Sequence, residues 1–397
     1  GTWYSYDDLK DGVNVTSFSG RIYICYGVAW SVQYAGYEPG QAVTDPNFYL
    51  RYDKMELTFT GDPNDVADLT SIDFWSIPMS ITTKKGGTDV QTASAFKNGA
   101  TTQSVYDALL ALSNPPVSGI PGPGGPDGTP MKALVPGDFV KYGDGPSPLT
   151  TFGRIIGPSS YPPSFPAPGG IPVSPYDTMT DYLTYLKDTF GPGTESGAVI
   201  SGLGAGTIGT IGGNFAGVGS TPPTTGPQAE QTYSLTATID NDLNVTLTGS
   251  CSVVGETTME FKVDAIKNPT GFYGGNAPYY LNGATDPVHP GNDVYGWITG
   301  DLFSGMNIGA VGSSYESGGN MVGAMESSDW FALDSSDRFA TLQPNNTYYN
   351  QWASTLQGLS DAYNFAYTDR FSHVLISLNP ADVDQLEIIL EDATVTM

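Results

Sequence analysis

Two carboxylates in the first quarter of the chain have the types and spacing for chemistry. Glu56 lies in Tyr52–Thr60, where Met55, Leu57 and Phe59 alternate with Lys54, Glu56, Thr58 and Thr60. A period of two describes a strand with Glu56, Thr58 and Thr60 on one face. Asp73 stands at the start of Ile72–Ile81, a nearly continuous apolar run that reads as a strand buried on both faces. The acidic loop Gly61–Leu69 is expected to join the two strands. One carboxylate on each of two adjacent strands can face the other across a cleft. Such a pair suits general acid/base work on a glycosidic bond. Most carboxylates at strand edges are simply solvated, so spacing alone does not choose between the two readings.

Other chemistries have fewer residues to work with. His289 and His373 are the only histidines, and neither sits near a nucleophile elbow of the Gly-x-Ser-x-Gly kind. A zinc site with several histidines is excluded by count. Asp62, Asp65 and Asp68, or Asp240 and Asp242, have oxygens that suit calcium, but no EF-hand spacing is present, and turn capping is the expected role. Gly204–Gly209 (GAGTIG) matches the dinucleotide fingerprint, yet glycine and β-branched residues follow it where a helix is required. No metal and no cofactor are expected. Any hydrolysis falls to carboxylates.

Composition narrows the partners. The net charge of -26 over 397 residues reflects 15 Lys and Arg more than an excess of 41 Asp and Glu. There is no basic patch for nucleic acid and no attraction to an anionic membrane. No stretch is apolar enough to span a bilayer. A neutral polysaccharide fits, and low charge with abundant Thr, Ser, Gly and Tyr suggests a secreted protein. Cys25 and Cys251 can form one disulfide or remain two buried thiols. The chain begins GTWYSYDD, without a charged and apolar leader.

The elements that must position the carboxylates are mostly strands. Gly20–Val28, Tyr52–Thr60, Ile72–Ile81, the hairpin Tyr233–Asp240/Leu243–Thr248, Thr257–Val263, Val374–Leu378 and Gln385–Leu390 read as β. Ser104–Leu112 reads as a helix capped by Ser104. Asp177–Phe190 is the clearest helix, with Met179, Tyr182, Leu183, Leu186 and Phe190 as its apolar stripe and Asp177 as its cap. Thr347–Leu356 has a helical face, and Ile298–Ile308 reads as short helical or irregular structure. Asn114–Gly128 and Pro158–Pro175 are Pro-rich loops. Phe272, Tyr273, Tyr279, Tyr280, Tyr295 and Trp297 form an aromatic-rich region that suits sugar stacking or ordinary packing.

Several phrases together resemble one family, the β-1,3-glucanases of glycoside hydrolase family 64. They are SGRIYICYG (Ser19–Gly27), YDKMELTF (Tyr52–Phe59), LTSIDFWSIPMSI (Leu69–Ile81), FGRIIGPS (Phe152–Ser159), the DYLTYL helix and the tail NTYYNQWASTLQGLSDAYNFAYTDRF. They run in the family's order over nearly the whole chain. The resemblance implies a mainly β chain with an α/β insertion. A thaumatin-like β-barrel or sandwich domain (1–92 and 366–397) would stand beside a mixed α/β domain (93–365), flanking a wide groove. It implies inverting hydrolysis of β-1,3-glucan by a monomer, with Glu56 as general acid and Asp73 as general base. Inversion places the carboxyl groups roughly 6.5–9.5 Å apart and calls for a raised Glu56 pKa. Thr58 and Thr70 match glucan-binding positions, Thr60 lies near them, and Tyr367 and Asp369 fall in the closing motif.

Two departures stand out. The acidic loop lacks an aromatic residue for sugar stacking, and the closing motif reads Tyr367-Thr368-Asp369 where Tyr-Asp-Asp is expected. They leave room for a glucan-binding protein without turnover, or for an inverting hydrolase of another polysaccharide. A structural surface or adhesion protein also suits the Gly/Pro/Thr-rich composition, but the chain has no internal repeat.

Overall fold

A computed structural model describes residues 4–26, 31–32, 37–39, 45, 47, 51–112, 154–160, 176, 178–194, 203, 206–214, 232–291, 293–371 and 374–395. The chain divides into two compact units. The first comprises Gly1–Tyr176, Gly358–Tyr363 and His373–Met397, and the second Asp177–Gln357 and Asn364–Ser372. These limits fall at other positions than the 92/93 and 365/366 boundaries expected from sequence.

In the first unit, alternation in sequence becomes two facing sheets. Strands β1 (Phe18–Cys25), β2 (Tyr52–Phe59) and β3 (Val66–Leu69) pair antiparallel, and Ile376–Ser377 adds the edge beside β3. After the two-residue β4 (Phe74–Trp75) come β5 (Met79–Lys85) and β6 (Thr88–Ala93). The second sheet runs in the order Gln385–Leu390, β5, β6. Met55, Leu57 and Leu69 from one sheet pack with Met79 and Ile81 from the other, together with Ile376 and Leu378. Burying each such side chain contributes about 1.5–3 kcal/mol. The opposite face of β2 carries Lys54, Glu56 and Thr58, as the period of two requires.

Two expectations change here. The acidic loop leads from β2 into β3, with Glu56 opposite Asp68, and not directly into the segment that carries Asp73. Ile72–Ile81 is also not one strand but β4, a bend and β5. The cause is chemical. Pro78 has no N–H to give a ladder. The N–H groups of Ser76 and Ile77 both donate to Asp53 Oδ2 at 2.9 Å. Those donors are then unavailable to a neighbouring strand.

The second unit is built on a five-stranded antiparallel sheet. Its strands are β8 (Thr207–Asn214), β9 (Thr232–Ile239), β10 (Val245–Cys251), β11 (Gly255–Phe261) and β12 (Tyr280–Leu281), adjacent in that order. The sequence-predicted hairpin is β9–β10. Asp240 holds its turn by accepting the N–H groups of Asp242 and Asn244. The helix Thr180–Phe190 buries the expected stripe, and the cap expected at Asp177 lies outside the described residues. Val294–Ile308 is a full helix whose side chains are nearly all buried, which explains why its sequence shows no amphipathic stripe. The helix over Thr102–Ala111 begins two residues before Ser104. Thr101 Oγ accepts the Ser104 N–H at 3.2 Å and Ser104 Oγ accepts the Thr101 N–H at 2.8 Å.

Among the described residues no sheet closes on itself, so the fold is mainly β with several helices and not a closed barrel. Cys25 and Cys251 are not joined to each other by a disulfide. No described helix is long and apolar enough to cross a membrane.

Asp53 gives the first unit a pH signature. Burial pushes its carboxyl up to about 7, against the downward pull of backbone N–H bonds from Lys54, Ile77 and Ser76 and the charge of Lys54. An unfolded aspartate titrates near about 3.9. The folded state therefore holds the proton more tightly between those values. Its stabilising contribution is full below the unfolded value and is lost as pH rises through about 7. We expect the urea midpoint of the wild type to fall between roughly pH 5 and 8, with that slope reduced in Asp53→Asn. At pH 5 the variant should be less stable by about 1–3 kcal/mol, because an amide nitrogen cannot accept the N–H groups.

Candidate active site

The polar face of the β1–β2–β3 sheet collects the ionisable groups. Register places Arg21 opposite Glu56 on one side and Asp68 opposite it on the other. Arg21 Nε donates to Glu56 Oε1 at 2.9 Å, and a second guanidinium nitrogen of Arg21 pairs with Glu38. Two positions along the same face, Lys54 lies opposite Tyr23. Its ammonium forms an ion pair with Asp73 Oδ2.

Asp73 reaches this face because its neighbours are anchored. Phe74 stands edge-on to Tyr52, with ring centroids 5.2 Å apart. The Arg154 guanidinium lies 4.1 Å from the Tyr52 ring centroid and 5.4 Å from that of Phe74. Strand β7 (Ile155–Ile156) pairs with β4, and Gly157 N–H donates to the Asp73 carbonyl at 2.8 Å. A side chain at Gly157 has no room, since a Cβ there would lie 2.6 Å from the Ile72 carbonyl oxygen. Just beyond, Ser159 Oγ donates to the Ile72 carbonyl and Ser160 Oγ to Asp73 Oδ1, both at 2.6 Å. The described part of this phrase, Arg154–Ser160, is thus the platform on which Asp73 is set.

Glu56 and Asp73 belong to one electrostatic site. Alternate residues on a strand face, such as Lys54 and Glu56, are about 7 Å apart along the strand. Arg21, the partner of Glu56, also acts on the charge of Asp73. Burial raises the Asp73 pKa, but the Lys54 charge and the hydrogen bonds from Lys54 and Ser160 outweigh it, with a further contribution from Arg21. The net effect holds Asp73 below its ordinary value, so it stands ionised. Side-chain exposures of 37% for Glu56 and 29% for Asp73 leave both carboxylates open to an external ligand.

The other sequence-predicted positions are distributed differently. Thr58 shares the Glu56 face, with its hydroxyl 3.1 Å from that of Ser19. Thr60 lies beyond the end of β2. Its hydroxyl and N–H both donate to Asp65, which also accepts the N–H groups of Gly61 and Asp62. Thr70 is buried at 3% exposure and lines a small cavity of about 20 Å³ with Lys54 and Ser360. Tyr367 and Asp369 belong to the second unit. There the Tyr367 ring packs on Gly300, where a Cβ would lie 2.9 Å away. Burial and the charges of Asp369 and Asp293 push the Tyr367 phenol up to about 12.

The second unit holds a buried cluster that sequence reading missed. Asp301 is fully buried, pairs with Arg370 and accepts the hydroxyls of Tyr233 and Ser327, both at 2.5 Å. Arg370 also sits 3.8 Å from the Trp297 ring centroid. Phe272, Tyr273, Tyr279 and Trp297 are buried here, so these members of the aromatic-rich region serve packing. An open pocket of about 590 Å³ is lined by Tyr233, Cys251, Glu326, Ser328 and small polar neighbours. Glu326 is the one carboxylate among the described residues of that lining.

Lys54, Arg21 and Ser160 were not predicted as site residues. Lys54 could have been found, because it shares the period-two face with Glu56. Arg21 and Ser160 depend on strand register and on a contact across 87 residues of sequence.

Fold and site together define a class: a mainly β protein with two cation-held carboxylates on the polar face of an antiparallel sheet. Residues 7–147 match the model of glycoside hydrolase family 64, described as beta-1,3-glucanase, so the resemblance read from sequence is borne out over that span. No curated protein matches the chain. Among solved structures, a laminaripentaose-producing beta-1,3-glucanase in complex with laminaritetraose is similar, at 16% identity and a TM-score of 0.50. The match covers 94% of this chain and 78% of that one. A beta-1,3-glucanase domain from Clostridium beijerinckii matches at 17% identity and a TM-score of 0.49, over 93% and 74% of the two chains. At such identity, the first of these likenesses supports the fold alone.

The Asp65 cap has a measurable role in holding the β2–β3 hairpin that carries Glu56 and Asp68. Asp65→Ala leaves its backbone donors unpaired and should lower stability by about 1–3 kcal/mol in urea titrations. Thr60→Val removes one hydroxyl donor and should cost only about 1 kcal/mol in the same titrations.

Proposed function

We propose that the chain is a secreted glycoside hydrolase that cleaves β-1,3-glucan in one inverting step. The observation that carries the reading is the pair Glu56 and Asp73, brought to one site by β2 and the β4–β7 platform, inside the span that matches the family model. The low share of charged residues, 14%, and the scarcity of basic ones support a neutral polymer as substrate. A thaumatin-like arrangement and a monomeric state are part of the same reading.

In this mechanism Glu56 gives its proton to the glycosidic oxygen as the bond to the anomeric carbon breaks. Asp73 takes a proton from a water whose oxygen bonds to that carbon on the opposite face. One proton leaves Glu56 and one reaches Asp73, so the charge of the pair is conserved. The ionised state of Asp73 suits the base. Arg21 has Glu38 as a second carboxylate partner, so its charge stays balanced while Glu56 carries the proton. Thr58 shares the face of Glu56, and in this reading its hydroxyl meets a sugar hydroxyl. Thr60 and Thr70 are further proposed glucan-binding positions of the first unit, and their structural roles make Thr58 the foremost of the three.

The test is sugar release from linear β-1,3-glucan by wild type, Glu56→Gln and Asp73→Asn, with the first-formed anomer followed by proton NMR. We expect α product from wild type and a loss of at least about 10³-fold in each variant, a large share of the barrier lowering available to acid/base groups. Binding of the glucan by wild type without any release would instead identify a non-catalytic glucan-binding protein. β product would rule out the inverting step.

A further inference from the structure

Lys54 is an unusual residue for its position. It is 4% exposed, and its ammonium pairs with Asp73. Burying an ion pair costs several kcal/mol per charge in desolvation, and an apolar residue of similar volume often serves stability as well or better. The stem of Lys54 could therefore be replaced by that of methionine if packing were its whole role. Ser160 makes the complementary contact from a different part of the chain. The two groups divide the carboxylate between them, Lys54 on Oδ2 and Ser160 on Oδ1.

We infer that Lys54 and Ser160 are positioning residues for the Asp73 base. With one donor on each oxygen, the plane of the carboxylate is set and rotation about its last bond is blocked. Each oxygen keeps a lone pair for the attacking water. The inference rests on the proposed acid/base reading and adds to it the groups that aim the base.

The surroundings of Asp73 support this division. From β1 it feels Arg21, and from β2 it feels Lys54. From the segment after β7 it receives the Ser160 hydroxyl, while the Arg154 guanidinium is stacked over Tyr52. Lys54 supplies the larger part of the downward shift. The sign follows. A carboxylate held below its ordinary value stays a competent base until the pH falls through that lowered value. Removing Lys54 moves this limit upward.

The experiment compares wild type, Lys54→Met, Ser160→Ala and Asp73→Asn. It reads kcat and KM on linear β-1,3-glucan against pH, and the Asp73 carboxyl titration by ¹³C NMR. In Lys54→Met we expect the Asp73 pKa and the acid limb of the rate profile to rise together by about one unit or more, a tenfold change in the ionisation equilibrium. In that variant kcat should fall by about tenfold or more while KM changes less than about twofold, because ground-state binding is untouched. Ser160→Ala should move both readouts in the same direction by less.

Should Lys54→Met fail to fold, Ser160→Ala carries the decision alone. An inactive Asp73→Asn with unmoved limbs and titrations in the positioning variants would overturn the inference and leave the base in place. An Asp73→Asn variant as active as wild type would remove the base assignment, and the inference with it.

Discussion

The placement of the site depends on a buried carboxylate that takes no part in the proposed chemistry. Asp53 points to the inner side of β2, next to Lys54, and accepts backbone N–H groups from Lys54, Ser76 and Ile77. It ties β2 to the bend after β4. That bend follows Asp73 by a few residues, so the clasp brings Asp73 alongside Lys54 and thereby near Glu56. The same donors are withheld from any ladder, which ends β4 after two residues. One buried group thus sets both the break in the strand and the position of the second carboxylate.

Charge placement follows a related economy. The chain has only 15 Lys and Arg among 397 residues, yet Arg21, Arg51, Lys54 and Arg154 gather around β2 and β4. Arg51 donates to the carbonyls of Ser76 and Ala393, and Arg154 covers the rings of Tyr52 and Phe74. These two hold the backbone and the aromatic platform. Arg21 and Lys54 hold the carboxylates. A cation beside each acid keeps the acids together in a protein whose net charge of -26 would otherwise drive them apart.

The second unit uses buried charge for another end. Asp301 and Arg370 sit inside the packing of the helix Val294–Ile308, with Tyr233, Ser327 and Trp297 around them. A half-satisfied network in such a place would be costly, and several donors converge on Asp301. Many aromatic residues that looked suited to sugar stacking are part of this interior.

What the sequence determined alone is what depends on local period and composition. The alternation over Tyr52–Thr60 determined a strand and the face that Glu56 shares with Lys54 and Thr58. The stripe of Tyr182, Leu183, Leu186 and Phe190 determined a helix, and Asp240 and Asp65 behaved as the turn caps their surroundings suggested. The phrases around Glu56 and Asp73 were enough to show the resemblance that the match over residues 7–147 bears out. Tertiary structure decided the rest. The apolar run Ile72–Ile81 carries no local sign that Asp53, about twenty residues earlier, will claim its N–H groups. Nor does any period reveal that Ser160 will donate to Asp73 or that Arg21 will lie opposite Glu56. Periodicity reports which face a side chain takes, whereas hydrogen bonds and ion pairs between distant segments exist only once the chain has brought those faces together.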